Sequence, residues 1–210
     1  SKDSYHLIEY WATDGCGYAE EKHYELDIVD TQAPTTTKVI GDPKYFDTQT
    51  GKLYVDGATR IALTCTDPQP HPVDNAQIYY RYRVDGAAFP SQFTLYTEPF
   101  GFPEESQHEL EYYCVDGLGN EEQHQLETDY VDHTKPVTTK TYGTPYITKD
   151  GKEWITSQTS ITLTAVDPDT TQMGCNSGVK ETKYKLTLVN NEYCASQSAC
   201  QQATGSGSWN

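Results

Sequence analysis

The chain has 210 residues, a formal net charge of −16 and a hydrophobic content of 35%, with 17 tyrosines and a single methionine. That length holds one or two domains with a real core, and the negative charge argues against nucleic acid, whose phosphates it would repel. No run approaches the roughly 20 apolar residues of a membrane-spanning helix.

Tyr, Thr and Val supply amphipathic, strand-favouring material, and no segment keeps a 3.6-residue apolar period, so an all-β chain is expected. The six cysteines include no C-x-x-C pair, which weighs against zinc ribbons, thioredoxin-like chemistry and c-type haem. They point instead to an oxidising, extracytoplasmic setting.

The first segment, Ser4-Tyr-His-Leu-Ile-Glu-Tyr-Trp-Ala-Thr-Asp-Gly-Cys-Gly17, returns as Ser106-Gln-His-Glu-Leu-Glu-Tyr-Tyr-Cys-Val-Asp-Gly-Leu-Gly119 at an offset of 102 residues. The match runs on without a gap to Lys38 and Lys140, with 16 identities in 35 positions. A second block, Gly51 to Pro68, returns as Gly151 to Pro168 at an offset of 100. Two residues are therefore missing from the later copy of the Lys44–Thr50 turn. Tyr80-Arg-Tyr82-Arg-Val84 then matches Thr182-Lys-Tyr184-Lys-Leu186 at 102 again. The repeating unit is about 102 residues.

Cut on that unit, residues 1–30 are the last two strands of one copy, 31–132 are a complete copy, and 133–210 are the first part of a third. Within the complete copy, strands are expected near 36–41, 58–66, 76–84, 93–100, 107–115 and 123–131, separated by Asp-, Gly- and Pro-rich turns. Ile61, Leu63 and Cys65 share one strand face, and Leu110, Tyr112 and Cys114 share another. The cysteines are 49 residues apart and point into one core, which suits the inter-sheet disulfide of an immunoglobulin-like sandwich. Tyr112, two residues before Cys114, stands where such sandwiches carry a corner tyrosine. The units join through Val29-Asp30-x-x-x-Pro34 and Val131-Asp132-x-x-x-Pro136, short Pro-stiffened connections that favour a semi-rigid rod.

The junction Val-Asp-x-x-x-Pro, the Ile-x-Leu-Thr-x-x-Asp-Pro strand, Ser177-Gly-Val179-Lys-Glu-Thr-Lys-Tyr184 and His-x-Leu/Ile-Glu-Tyr…Asp-Gly-x-Gly resemble the immunoglobulin-like tandem repeat of bacterial and archaeal cell-surface proteins. The resemblance covers nearly the whole chain. It implies tandem immunoglobulin-like β-sandwich domains and an extracellular or cell-surface location. It also implies a structural or adhesive role without enzymatic activity. One departure is that the paired cysteines occur only in the central unit, the matching positions elsewhere being Ala165 and Ala12.

A half sandwich exposes strand edges and an open core, and residues 1–30 and 133–210 are complementary halves. Two explanations stay open. One is completion of the C-terminal half of one copy by the N-terminal half of another, head to tail, giving a fibre whose partners are copies of the chain. The other is that the chain is a window on a longer stalk or ligand-binding array of a surface adhesin, with cell-surface glycans or other surface proteins as partners. The faces to be joined would carry Tyr10, Trp11, Ile161, Leu163 and Tyr184. Cys16 is expected to pair with one of Cys175, Cys194 and Cys200, within or between chains, while the remaining two pair with each other.

The six histidines form no H-E-x-x-H or H-x-H, and the repeat-equivalent His6 and His108 read as structural residues. No cofactor is expected. Recurring carboxylates beside the joints, Asp30, Asp132 and Glu122, are weak Ca²⁺ candidates because hard oxygen ligands suit that ion. No G-x-S-x-G, catalytic Cys/His signature or phosphate-binding Gly loop occurs, so an enzyme is not expected.

Overall fold

The computed structural model describes residues 3–69 and 72–186. Among them every regular element is a strand, and the chain is all-β. No helix among the described residues is long and apolar enough to cross a membrane. Two compact units are present. One holds Ser1–Thr134 with Asp169–Ser177, and the other holds Lys135–Pro168 and the described residues from Gly178 on.

The first unit opens with an antiparallel hairpin of β1 (Ser4–Tyr10) and β2 (His23–Val29). A two-sheet sandwich follows. Strands β3 (Thr35–Ile40) and β6 (Ile61–Thr66) form one sheet. The other has six strands: β4 (Lys44–Asp47), β5 (Lys52–Val55), β7 (Gln77–Val84), β8 (Thr94–Leu95), β9 (Gln107–Val115) and β10 (Gln125–Val131). They lie in the order β4-β5-β10-β9-β7-β8, with β5 and β10 parallel.

Strand β9 shows why this sequence makes a sandwich. His108, Leu110, Tyr112 and Cys114 are buried, while Gln107, Glu109, Glu111 and Tyr113 lie on the opposite, partly exposed face. Leu110, Tyr112 and Cys114 pack with Ile40, Val55, Ile61, Leu63, Ile78 and Val131 from both sheets and with Phe102 from the β8–β9 connection. A disulfide between Cys65 and Cys114 ties β6 to β9 through this core. On the outer face Arg81 and Arg83 stand directly opposite Glu111 and Glu109 on β9 and form ion pairs with them, the arrangement that stabilises a cross-strand pair.

The hairpin β4–β5 was not among the expected strands. Each of its strands has four residues, too short for alternation to stand out from a turn. The corner role expected of Tyr112 is also altered: its hydroxyl donates to Glu127 Oε1 at 2.6 Å, a side chain on the neighbouring strand. Burial first and this hydrogen bond second raise the Tyr112 pKa.

In the second unit, β11 (Val137–Tyr142) pairs with β14 (Ile161–Val166), and β12 (Tyr146–Lys149) pairs with β13 (Lys152–Ile155). These pairings repeat those of β3–β6 and β4–β5. Thr35 opposite Thr66 is matched by Val137 opposite Val166, and Lys44 opposite Val55 by Tyr146 opposite Ile155. The two-residue difference falls in the turn: Asp47 pairs with Lys52, whereas Lys149 pairs with Lys152 across Asp150-Gly151. Both of those turn residues have positive φ, as the tight hairpin turn requires.

The expected strand over 182–186 is not formed, and Tyr184 lies outside any strand. Its counterpart β7 is held along its whole length by β9.

Candidate functional site

The hairpin β1–β2 has the register of β9–β10. Tyr5 stands opposite Ile28 as Gln107 stands opposite Tyr130. The local contacts recur too: Ala12 N donates to Glu20 Oε1 at 2.7 Å, as Cys114 N donates to Glu122 Oε1 at 2.8 Å. In the sandwich that carboxylate also accepts from Thr36 N and Thr36 Oγ1 of the opposite sheet. Glu122 is thus a buried strut with both oxygens engaged.

What differs is the covering of the inner face. Leu110 and Tyr112 are buried at 0% and 3%, whereas their hairpin equivalents Ile8 and Tyr10 are 44% and 49% exposed. The second unit shows the matching deficit, with Ile161 at 46% where Ile61 is at 1%. Leu163 is half-buried and Tyr184 is exposed. Trp11 corresponds to the outward-facing Tyr113, and Lys22 Nζ stands 4.7 Å from its ring centre. Of Tyr10 and Trp11, only Tyr10 occupies an inner-face position.

A polar network inside the complete sandwich went unrecognised in the sequence. Lys38 Nζ on β3 lies 3.0 Å from Asp129 Oδ2 and 2.5 Å from Glu127 Oε2 on β10. Burial raises the Asp129 pKa in spite of Lys38. Burial also pulls Glu127 upward, but hydrogen bonds from Lys38 and Tyr112 outweigh it and leave its pKa lowered. The signal available in the sequence was recurrence: Tyr10, Glu25, Asp27 and Lys140 stand one repeat from Tyr112, Glu127, Asp129 and Lys38.

A second cluster lies where the hairpin passes into the sandwich. Asp30, just after β2, Asp67 after β6 and Asp116 after β9 each bring a carboxylate oxygen within 4.8 Å of the others. Asp30 and Asp116 are 8% and 5% exposed. Asp116 Oδ1 accepts from Leu118 N and Asn120 N, and its Oδ2 from Asn120 Nδ2 at 2.7 Å. Burial raises the Asp116 carboxyl, but hydrogen bonds from Asn120, Leu118 and Gly119 prevail and hold its pKa below the ordinary aspartate value. Asp30 accepts from Gln32 N at 3.1 Å and Asn120 Nδ2 at 3.4 Å. Asp67 Oδ2 accepts from Val73 N, while the buried Asp67 Oδ1 has no hydrogen-bond partner. Like charges this close repel by about 3 kcal/mol per pair at an effective dielectric of about 20.

Of the expected Ca²⁺ candidates, Asp30 alone belongs to this cluster. Asp132 instead accepts from Thr134 N at 3.2 Å and Ser177 N at 2.7 Å. His108 is structural: fully buried, stacked on Phe102 at 4.3 Å and hydrogen-bonded to Ser106 O.

Cys16 is exposed, Cys175 is buried, and neither forms a disulfide with a described residue. Burial raises the Cys175 thiol pKa. The expected alternative of Cys16 with Cys175 is not formed within the chain, while the alternatives through Cys194 and Cys200 lie outside the described residues.

Comparison with family models, with curated proteins and with solved structures finds no match for the chain.

Proposed function

We propose that this is a non-enzymatic structural protein of an extracellular or cell-surface fibre, assembled head to tail by completing half sandwiches between copies. The occupant of the open β1–β2 face is the β11–β14 half of a second copy. One observation carries this reading: the two halves carry the counterparts of the polar residues that tie the two sheets of the central sandwich together, Lys38, Asp129, Glu127, Thr36 and Glu122. Lys140 would meet Asp27 and Glu25 as Lys38 meets Asp129 and Glu127. Thr138 would meet Glu20 as Thr36 meets Glu122. Strands β2 and β13 would pair in parallel, Ile28 with Trp154 and Val29 with Ile155, as Tyr130 pairs with Tyr54 and Val131 with Val55.

The free energy for joining would come from the inner faces now open to water, including Ile8, Tyr10 and Ile161. Each large apolar side chain fully covered contributes about 1.5–3 kcal/mol. A heterologous contact whose rotation does not close into a ring yields filaments. The disulfide and the resemblance to surface repeats both support an oxidising, extracytoplasmic location.

The test is a charge exchange followed by sedimentation and negative-stain microscopy. Wild-type protein should form linear polymers whose length grows with concentration. K140E and D27K should each be unable to polymerise alone. In their mixture each D27K end meets its complement on K140E, through the native charge pair at one joint and the exchanged pair at the other, so alternating copolymers should form. The double variant should recover polymers. A chain that stays monomeric at every concentration would overturn fibre assembly and favour a stalk segment of a longer adhesin.

A further inference from the structure

We infer that Asp30, Asp67 and Asp116 form a binding site for a divalent cation of calcium size, which pins the β1–β2 hairpin to the sandwich that follows it. The site does not depend on assembly, since all three residues belong to one compact unit.

Geometry is the first support. Ca²⁺ binds oxygen at about 2.3–2.6 Å, so two oxygens on opposite sides of one ion lie at most about 5 Å apart. The three carboxylate oxygens are all within 4.8 Å of one another, the spacing that oxygens bound to a single Ca²⁺ have. Mg²⁺ demands shorter contacts of about 2.0–2.1 Å and gives up its water reluctantly, which is why the ion assigned here is the larger one.

The second support is independent of the clustering. Asp67 Oδ1 is buried and accepts no hydrogen bond. A buried carboxylate oxygen ordinarily finds a donor, and its lack of one calls for a ligand that the protein itself does not supply. Charge balance agrees: none of the three forms an ion pair with a described Lys, Arg or His. The nearest side-chain donor is the neutral amide of Asn120, on Asp116 and Asp30. Backbone donors to Asp30 and Asp116 hold their carboxylates in fixed orientations, as the second shell of a metal site does.

The elements joined give the ion its role. Asp30 ends the hairpin, Asp67 begins the β6–β7 connection, and Asp116 begins the β9–β10 turn. A cation shared by the three holds the joint at Asp30 against two loops of the sandwich. Without it their mutual repulsion loosens the joint.

The experiment uses the whole chain, stripped with chelator and titrated with CaCl₂ or MgCl₂ at constant ionic strength. Binding is followed by calorimetry, and Tm and backbone amide NMR shifts are recorded. Saturating Ca²⁺ should raise Tm by about 5 °C or more, with Mg²⁺ weaker. Amide shifts should centre on Gln32, Val73, Leu118 and Asn120. D67N should abolish the saturable heat and the Tm rise, whereas D42N, away from the cluster, should keep both. The NMR map of wild-type protein decides the case even if D67N does not fold. No saturable binding by wild-type protein, or shifts centred elsewhere on its acidic surface, would overturn the inference.

Discussion

Lys38 Nζ sits 3.0 Å from Asp129 Oδ2, and the two side chains are only 6% and 1% exposed. A cation on one sheet is therefore held by an anion on the other, inside the sandwich. Removing one partner leaves the other charge buried and unpaired, which typically costs about 3–5 kcal/mol. K38M should lower unfolding stability by about that amount in urea. Replacing both, as K38M with D129L, should recover much of the loss, because an apolar pair leaves no stranded charge. Additive losses in that cycle would show that the two side chains do not act as a pair.

The carboxylates of the sandwich make opposing contributions to the pH dependence of stability. Burial pulls Glu111 upward, but the hydrogen bonds from Arg81 and His124 prevail and leave its pKa below 4.5. A carboxyl lowered on folding stabilises the native state above its unfolded pKa, and that contribution is lost as pH falls through the folded value. Glu127 and Asp116 are lowered too and act in the same direction. Asp129 is raised above 3.8 by burial. Its contribution has the opposite sign, stabilising the fold relatively more as pH falls through its raised native value. Urea midpoints should fall between pH 5 and pH 3, less steeply in E111Q and more steeply in D129N. A flat E111Q difference across that range would contradict the assignment.

Cys65 and Cys114 close a loop of 49 residues in sequence. A cross-link over that span stabilises by about 4 kcal/mol in the chain-entropy account. C65A/C114A should therefore lose about 2–5 kcal/mol, and excess thiol should lower Tm of the wild type towards that of the variant. Thiol-insensitive melting would show that the bond contributes little.

Strands β6 and β9 were legible because their alternation is strict and each carries a cysteine on its inner face. Residues 182–186 carry the alternation of β7, yet Tyr184 lies outside any strand, whereas β7 is paired along its length with β9. Sequence alone cannot tell a strand from a segment that becomes one only when paired. Lys38 and Asp129 escaped notice because charges on an acidic chain read as solvated surface. Only their joint recurrence as Lys140 and Asp27 set them apart. Asp30 drew attention beside its joint, but its convergence with Asp67 and Asp116 depends on three loops meeting at one end of the sandwich. No spacing rule carries that information.

Trp154 reports directly on completion of the half sandwich. Its counterpart Tyr54 is 7% exposed, covered in part by the parallel strand β10 and by Tyr130, whose ring centre lies 5.7 Å away. Trp154 itself is 57% exposed, and Ile28, at the position of Tyr130, is 56% exposed. Head-to-tail joining would place Ile28 beside Trp154 and remove the indole from water. In a W11F/W209F background, Trp154 emission should shift to the blue as concentration rises, in step with polymer mass. I28D should abolish both the shift and the polymers, because it brings an unpaired charge into the new parallel pair. Polymers that form with Trp154 still quenched by iodide to the monomer's extent would mean that copies join through another surface.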